Sequence, residues 1–294
     1  MKNNQKTVFT GACTALITPF RDGKIDFFSL KKLIELQIQA GIDALLVCGT
    51  TGESATLSDT EKRELISFAV REVAGRVPVI AGTGSNDTRR AIALSEFASS
   101  VGANALLIVT PYYNKATAQG LIKHFGTIAD SVETPIILYN VPSRTGVNIP
   151  LEAYEDLLKY ENIIALKEAS ANMSYLANIA SKYGNILDIY SGNDDLILPT
   201  LSLGGKGVIS VLSNALPKET SEICNLWLEG KTKEATALQL KLLPLINALF
   251  SEVNPIPIKA LLSYMGICHE EYRLPLCKMN PNLKNELFEK YKSI

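Results

Sequence analysis

A lysine that ends a short apolar run is the side chain of this 294-residue sequence best suited to covalent chemistry. Lys167 closes the run Asn-Ile-Ile-Ala-Leu-Lys at 162–167. Burial at that point penalises the ammonium form and is expected to lower the pKa of Lys167 from about 10.4 toward neutrality. A neutral amine forms a Schiff base with a carbonyl substrate, the chemistry of class I aldolases. The structural alternative is a lysine that pairs with Glu168 or caps the rim of the fold.

A tyrosine near the end of the preceding apolar run is a candidate partner for this lysine. A Schiff-base mechanism needs an acid/base group that moves protons while the carbinolamine forms and loses water. The phenol of Tyr139 meets that need. The alternative is an aromatic ring that is packed for stability, with its hydroxyl group in water.

Two threonines and an arginine are candidates for binding a carboxylate. Thr50 and Thr51 lie between glycines that allow close backbone approach, so their hydroxyl and N–H groups can bind a carboxylate or relay a proton. Arg144, in the loop Pro-Ser-Arg-Thr-Gly, offers a planar guanidinium for bidentate binding. The alternatives are an ordinary Gly-Thr-Thr-Gly turn and an arginine held by a surface acid.

Eight short apolar runs with helical patterns between them must position these residues. The runs are 12–17, 44–48, 77–81, 105–109, 135–140, 163–167, 187–191 and 207–211. Their near-continuous apolar character indicates burial on both faces, as in parallel sheets. Ser58 and Glu61 form a capping-box pattern, and Asn86 is a candidate N-cap. The sequence therefore predicts an α/β fold, a (β/α)₈ TIM barrel, with catalytic groups at the carboxyl ends of the strands.

The sequence after the eighth unit loses its strands and turns helical. Helical patterns occur near 232–250, 257–265 and 282–292. We therefore expect a catalytic barrel over residues 1–230 and a C-terminal helical region over 231–294. That region is expected to pack against the barrel or against a second subunit.

Composition and charge exclude several classes of protein. Hydrophobic residues make up 47% of the chain, and 29 basic against 30 acidic residues give a net charge of −1. Without a basic run, nucleic acid is not an expected partner. The apolar runs are strand-length, far below the ~18 residues that cross a bilayer, so no membrane insertion is expected. No export signal is evident, and we expect a cytoplasmic protein.

Cysteine and histidine usage argues against disulfide and metal chemistry. The five cysteines are widely spaced and lie mostly in apolar segments, which is typical of reduced core residues. Two histidines do not supply the usual imidazole ligand sets for zinc. We therefore expect chemistry without a metal or another cofactor.

Several segments together closely resemble the dihydrodipicolinate synthase family, also called 4-hydroxy-tetrahydrodipicolinate synthases. The segments are 49–54, 112–113, 138–146, 166–169 and 207–210, with 254–259 and 273–276 in the helical region. The resemblance runs nearly end to end. The wider superfamily includes N-acetylneuraminate lyases, which share the lysine and the tyrosine, so the assignment within it rests on Thr50, Tyr113 and Arg144.

The resemblance implies condensation of pyruvate with aspartate 4-semialdehyde, the branch step toward diaminopimelate and lysine. Lys167 would form the imine, and Tyr139, Thr50 and Tyr113 would relay protons. The implied substrate-binding residues are Thr51 for the pyruvate carboxylate, Arg144 for the semialdehyde, and Gly192 and Ile209 through backbone groups. Tyr113 reaches the site across a dimer interface in this family, which implies a homo-oligomer, at least a dimer and commonly a dimer of dimers. The alternatives left open are a sialic or sugar-acid lyase and a catalytically silent binding barrel.

Many family members also bind lysine in a cleft at the dimer interface. The residues that match this allosteric cleft are Ser54, Ala55, Asn86 and Tyr112. Two positions depart, because lysine-inhibited relatives carry a neutral polar residue in place of Asp59 and a carboxylate in place of Arg90. The ammonium group of lysine needs an acidic partner, and Arg90 presents like charge, so weak or absent inhibition is expected. Alternatively, Arg90 is a solvated helix residue and Asp59 supplies a substitute carboxylate.

Overall fold

A computed structural model describes residues 7–294 of the chain. In chain order the strands are β1 (Gly11–Ala15), β2 (Phe20–Arg21), β3 (Lys24–Ile25), β4 (Ala44–Val47), β5 (Val79–Gly82), β6 (Ala105–Val109), β7 (Ile136–Asn140), β8 (Ile163–Glu168), β9 (Asp188–Ser191) and β10 (Gly207–Ser210). Eight of them, all except β2 and β3, pair in parallel into one closed barrel, in which β10 returns to β1. The predicted barrel and its eight strands are confirmed.

Helices follow the barrel strands and form the outer layer. They are α1 (Phe27–Gln39), α2 (Asp59–Val73), α3 (Thr88–Ser100), α4 (Ala118–Ser131), α5 (Pro142–Thr145), α6 (Ala153–Leu157), α7 (Met173–Tyr183), α8 (Ile197–Ser202), α9 (Pro217–Leu228), α10 (Thr232–Leu249), α11 (Ile256–Tyr264) and α12 (Pro281–Lys292). Short 3₁₀ turns occupy 54–56, 194–196 and 212–214. Within the described range, every helix is too short or too polar to span a membrane.

Local capping explains where two of these helices begin. The Ser58 hydroxyl accepts a hydrogen bond from Glu61 N, and the Glu61 carboxylate accepts one from Ser58 N, which confirms the predicted capping box of α2. The prediction of Asn86 as an N-cap is wrong. α3 begins at Thr88, so the residue directly before it, Asp87, is the cap and accepts from Arg89 N, while the Asn86 amide donates to the Tyr112 carbonyl.

The core has two layers, one inside the barrel and one between the barrel and its helices. The barrel closes where β1 and β10 approach each other very closely. A Cβ atom built on Gly207 would lie 1.8 Å from the Gly11 carbonyl oxygen, so only glycine fits this position.

The C-terminal helices pack against the barrel. The observed bounds of α10, α11 and α12 agree closely with the three predicted helical patterns. Buried side chains of all three helices, among them Leu245, Ile258 and Leu287, belong to the same apolar cluster as the outer layer of the barrel. The C-terminal region therefore shares one core with the barrel.

Candidate active site

A cavity of about 350 Å³ opens at the carboxyl ends of the barrel strands. It brings together six of the predicted site residues, which lie far apart in the sequence. Those six are Thr50, Thr51, Tyr139, Arg144, Lys167 and Gly192. Each lies on a barrel strand or in the segment that follows one, which is where barrel enzymes carry their chemistry.

Lys167 lies near the end of β8, directly beside Tyr139 of β7. The two residues are register partners in the parallel pair, and each is only 6% exposed. Lys167 Nζ lies 4.5 Å from the centroid of the Tyr139 ring. The ion pairs among residues 7–294 do not include Lys167. A buried amine without an ion-pair partner is available to a carbonyl carbon that enters the cavity.

Glu168 does not pair with Lys167, because successive side chains of a strand point to opposite faces. Its carboxylate accepts hydrogen bonds from Asn140 Nδ2 at 2.8 Å and from Ser170 N at 2.6 Å. Burial raises the pKa of Glu168, and these two hydrogen bonds oppose that rise. The structure therefore does not support the Glu168 pairing considered as the alternative role of Lys167.

A buried aspartate, which the sequence reading did not single out, joins the ends of β9 and β10 beneath the cavity. Asp194 Oδ2 accepts hydrogen bonds from Val211 N at 3.0 Å and Leu212 N at 2.9 Å. Burial raises the pKa of Asp194, while its hydrogen bonds and the charge of Lys167 oppose that rise. Asp194 thus holds two segments of the cavity wall in place, close enough to Lys167 for the charge of that residue to favour the ionised carboxylate.

Glycine at position 192 is required by the close approach of residues at the end of β8. A Cβ atom built on Gly192 would lie 2.6 Å from Ala169 Cβ and 3.1 Å from Lys167 Cε. A larger residue at position 192 would therefore collide with the end of β8, first with Ala169 and then with the Glu168 carbonyl at 3.0 Å. Ile209 lies instead in the apolar cluster inside the barrel, and Val211 is the nearby residue that lines the cavity.

Two of the three candidate carboxylate-binding residues contact one asparagine from the C-terminal region. Asn254 Nδ2 donates to Thr51 Oγ1 at 3.0 Å, and the Asn254 carbonyl accepts from Arg144 Nη2 at 3.4 Å. Sequence reasoning gave Asn254 no role. The sequence pointed to Asn254 only through the segment 254–259, which resembles the family but suggests no chemical role for this residue.

The residue after the Gly-Thr-Thr-Gly turn is fixed by a second contact from the C-terminal region. Lys259 Nζ lies 2.5 Å from Glu53 Oε1, and both side chains are buried. The backbone N–H of Arg273 donates to the other Glu53 oxygen at 3.2 Å. The loop that carries Thr50 and Thr51 is therefore clamped from the C-terminal side of the chain.

Tyr113 is the predicted site residue that the fold keeps away from its own cavity. Its side chain is 90% exposed, and its backbone has a φ of 73° in the left-handed region. A left-handed backbone is strained in a non-glycine residue. At Tyr113 this backbone occurs together with a side chain that points outward from the fold.

A larger cavity of about 700 Å³ lies beside the N-terminal ends of α2 and α3. It brings together Ala55, Asn86 and Tyr112 of the predicted allosteric cleft, together with Asp59 and Arg90. Three further basic residues, which sequence reasoning did not include, line it: Lys62, Arg63 and Arg89. Ser54 lines a neighbouring cavity of about 300 Å³, which Arg144 and Tyr112 also line.

Residues 7–294 contain no group of three or more His, Cys, Asp or Glu side chains placed to hold a metal ion. All five cysteines are free, and four of them are buried. The polar side chains that line the 350 Å³ cavity include an amine, hydroxyl groups and a guanidinium group.

Comparison with known proteins gives consistent matches over nearly the whole chain. The model of the dihydrodipicolinate synthetase family matches residues 8–294. The 4-hydroxy-tetrahydrodipicolinate synthase of Clostridium novyi strain NT is 49% identical over 285 residues, 96% of each chain. The dihydrodipicolinate synthase structure from Aquifex aeolicus superposes with a TM-score of 0.95 at 46% identity and covers 97% of both chains. The Cyanidioschyzon merolae enzyme, solved with lysine bound, has a TM-score of 0.95 at 38% identity and covers 98% of this chain and 99% of that one.

Proposed function

The chain belongs to the dihydrodipicolinate synthetase family, and we propose that Lys167 is the residue through which it acts on pyruvate. The reaction is the condensation of pyruvate with L-aspartate 4-semialdehyde to 4-hydroxy-tetrahydrodipicolinate, on the route to diaminopimelate and lysine. The observation that carries the role of Lys167 is its buried amine, which lies beside Tyr139 at the base of a cavity lined by hydroxyl and guanidinium groups.

The amine of Lys167 attacks the keto carbon of pyruvate and forms a carbinolamine. Tyr139 and Thr50 move protons between the amine and the departing hydroxyl, which leaves as water and gives the imine. Loss of a methyl proton converts the imine into an enamine, whose carbon attacks the aldehyde of the second substrate. The amino group of that substrate then replaces Lys167 at the former keto carbon, which closes the ring and frees the enzyme. Lys167 supplies the covalent step, and the scheme uses no cofactor.

Two residues distinguish the two substrates through their carboxylates. The Thr51 hydroxyl donates a hydrogen bond to the pyruvate carboxylate deep in the cavity. Gly192 leaves room for the imine. Arg144 binds the carboxylate of the semialdehyde in a bidentate manner. Ile209 contributes through its backbone groups, while its side chain packs in the apolar cluster inside the barrel.

The functional unit is a homo-oligomer, at least a dimer. Because the Tyr113 ring points away from its own cavity, it completes the proton relay of a second subunit. The most consistent assembly is a dimer of dimers that acts in the cytoplasm.

Steady-state turnover in two assays, a condensation and a cleavage, tests this function against its alternatives. We expect turnover when pyruvate is supplied with aspartate 4-semialdehyde, and none when N-acetylneuraminate is supplied for cleavage. Efficient cleavage of the sugar acid would identify a sialic-acid lyase, and no turnover in either assay would identify a silent barrel.

A further inference from the structure

Asn254 is a buried residue of the C-terminal region that lines the catalytic cavity. It lies between α10 and α11, and only 7% of its surface is exposed. Its amide donates to Thr51 Oγ1, although 203 residues separate the two in sequence. The contact therefore exists only because the C-terminal helices pack against the barrel.

The direction of this hydrogen bond determines what the Thr51 hydroxyl offers to a ligand. A hydroxyl group has one proton to donate and two lone pairs that accept. Since Asn254 Nδ2 donates to Thr51 Oγ1, one lone pair is occupied and the proton stays free. Within the described range, Thr51 has no hydrogen-bond acceptor for that proton, so it is free to point toward the cavity that Thr51 lines.

We propose that Asn254 is a positioning residue that fixes the Thr51 hydroxyl as a hydrogen-bond donor to the carboxylate of the keto-acid substrate. This inference rests on the proposed function, because it assigns the first substrate's carboxylate to Thr51. A carboxylate accepts hydrogen bonds and donates none when ionised, so it selects the hydroxyl orientation that Asn254 enforces. The amide of Asn254 is neutral and adds no charge that would repel the substrate.

The same residue contacts the group that binds the second carboxylate. The Asn254 carbonyl accepts from Arg144 Nη2 at 3.4 Å, on the other side of the residue from the Thr51 contact. The C-terminal region thus touches both carboxylate-binding groups through one residue. Side-chain substitutions at this position change the Thr51 contact and keep the backbone contact to Arg144.

Replacement of Asn254 by aspartate reverses the hydrogen bond without a large change in shape. The aspartate carboxylate accepts a hydrogen bond from the Thr51 hydroxyl, so that hydroxyl no longer donates to the substrate. Asn247→Asp is the charge control, because it places a carboxylate on the same cavity at an exposed residue that makes no hydrogen bond to Thr51 in the described part of the chain. The readout is the pyruvate concentration that gives half-maximal adduct after borohydride reduction, together with KM for pyruvate and kcat.

We expect Asn254→Asp to raise the half-saturating pyruvate concentration about tenfold or more relative to Asn247→Asp, as loss of a hydrogen bond to a charged group predicts. At saturating pyruvate, kcat should stay within a few-fold of the unaltered protein. Asn254→Ala should give a smaller rise, since the hydroxyl is then free to turn either way. In a Thr51→Val background, Asn254→Ala should have no further effect on pyruvate binding. Asn254→Asp should there have only the effect of its added charge.

Equal rises in the half-saturating pyruvate concentration for Asn254→Asp and Asn247→Asp would overturn the proposal, because the added charge alone would then explain the effect. A fall in kcat with unchanged KM for pyruvate would also overturn it. If Asn254→Asp does not fold, Asn254→Ala decides the question, since an effect that persists in the Thr51→Val background contradicts a role through Thr51. The proposed function fails separately, when the unaltered protein itself forms no pyruvate adduct.

Discussion

Removal of the Lys259 ammonium group should destabilise the whole fold, because it leaves a carboxylate buried without its counter-charge. Lys259 Nζ lies 2.5 Å from Glu53 Oε1, with side-chain exposures of 0% and 1%. Breaking a buried ion pair by removing one partner costs about 3–5 kcal/mol. Arg273 N still donates to Glu53 in a Lys259→Met variant, which places the expected loss at the lower end of that range, about 3 kcal/mol.

The loss should be visible as a lower melting temperature. At about 2–4 °C per kcal/mol, Lys259→Met should melt about 6–12 °C below the unaltered protein. The exposed pair Lys292–Glu289 supplies the control, since its side chains are 51% and 71% exposed. Lys292→Met should change the free energy of unfolding by less than about 1 kcal/mol. Circular dichroism during heating and urea titration would measure both variants.

A double substitution separates the charge from the packing. Glu53→Gln with Lys259→Met removes both charges and keeps an acceptor for Arg273 N, so it should recover most of the lost stability. Lys259→Met should also weaken pyruvate trapping, because Glu53 follows the Thr50–Gly52 turn and has a left-handed φ of 53°. A single variant as stable as the control, or a double variant no more stable than the single one, would refute this reasoning.

Three further variants test the site and its regulation. Arg144→Ala should keep pyruvate trapping and reduce turnover with the semialdehyde about tenfold or more, since it removes a carboxylate contact of the second substrate; unchanged turnover in a coupled assay would favour a sugar-acid lyase. Tyr113→Phe should lower kcat through loss of the relay hydroxyl, and a kcat equal to that of the unaltered protein would remove Tyr113 from the relay. L-lysine below about 1 mM, a concentration that as a Kd corresponds to a binding free energy of about −4 kcal/mol, should not inhibit, because Arg90 and three other basic residues line the cleft. Arg90→Glu should increase sensitivity to lysine, and clear submillimolar inhibition of the unaltered protein would contradict this account of the cleft.

The barrel and most of its cavity residues could be predicted because the necessary signals are local. Each strand is a short apolar run, and parallel strands of one barrel bring their carboxyl ends to the same edge. Lys167 and Tyr139 end neighbouring runs, so their proximity followed from the order of the strands. The capping box at Ser58 and Glu61 is likewise a pattern of adjacent residues.

The contacts that were missed depend on long-range packing. Asn254 and Lys259 reach the turn after β4 from more than 200 residues away, and no local pattern encodes that approach. Asn86 was mistaken for a helix cap because its side-chain oxygen can accept from backbone N–H groups, but α3 begins one residue later than that assignment requires, with Asp87 as its cap. The hairpin of β2 and β3 was not predicted, since two-residue strands are too short to show alternation.

Borohydride reduction in the presence of pyruvate tests the central claim most directly, because it makes the Schiff base permanent. We expect one reduced pyruvyl adduct per chain by mass spectrometry, located by peptide mapping on Lys167. Lys167→Ala should abolish the adduct while the melting temperature shows that the variant is folded. An adduct on another lysine, or no adduct in protein that turns over the semialdehyde, would contradict the account.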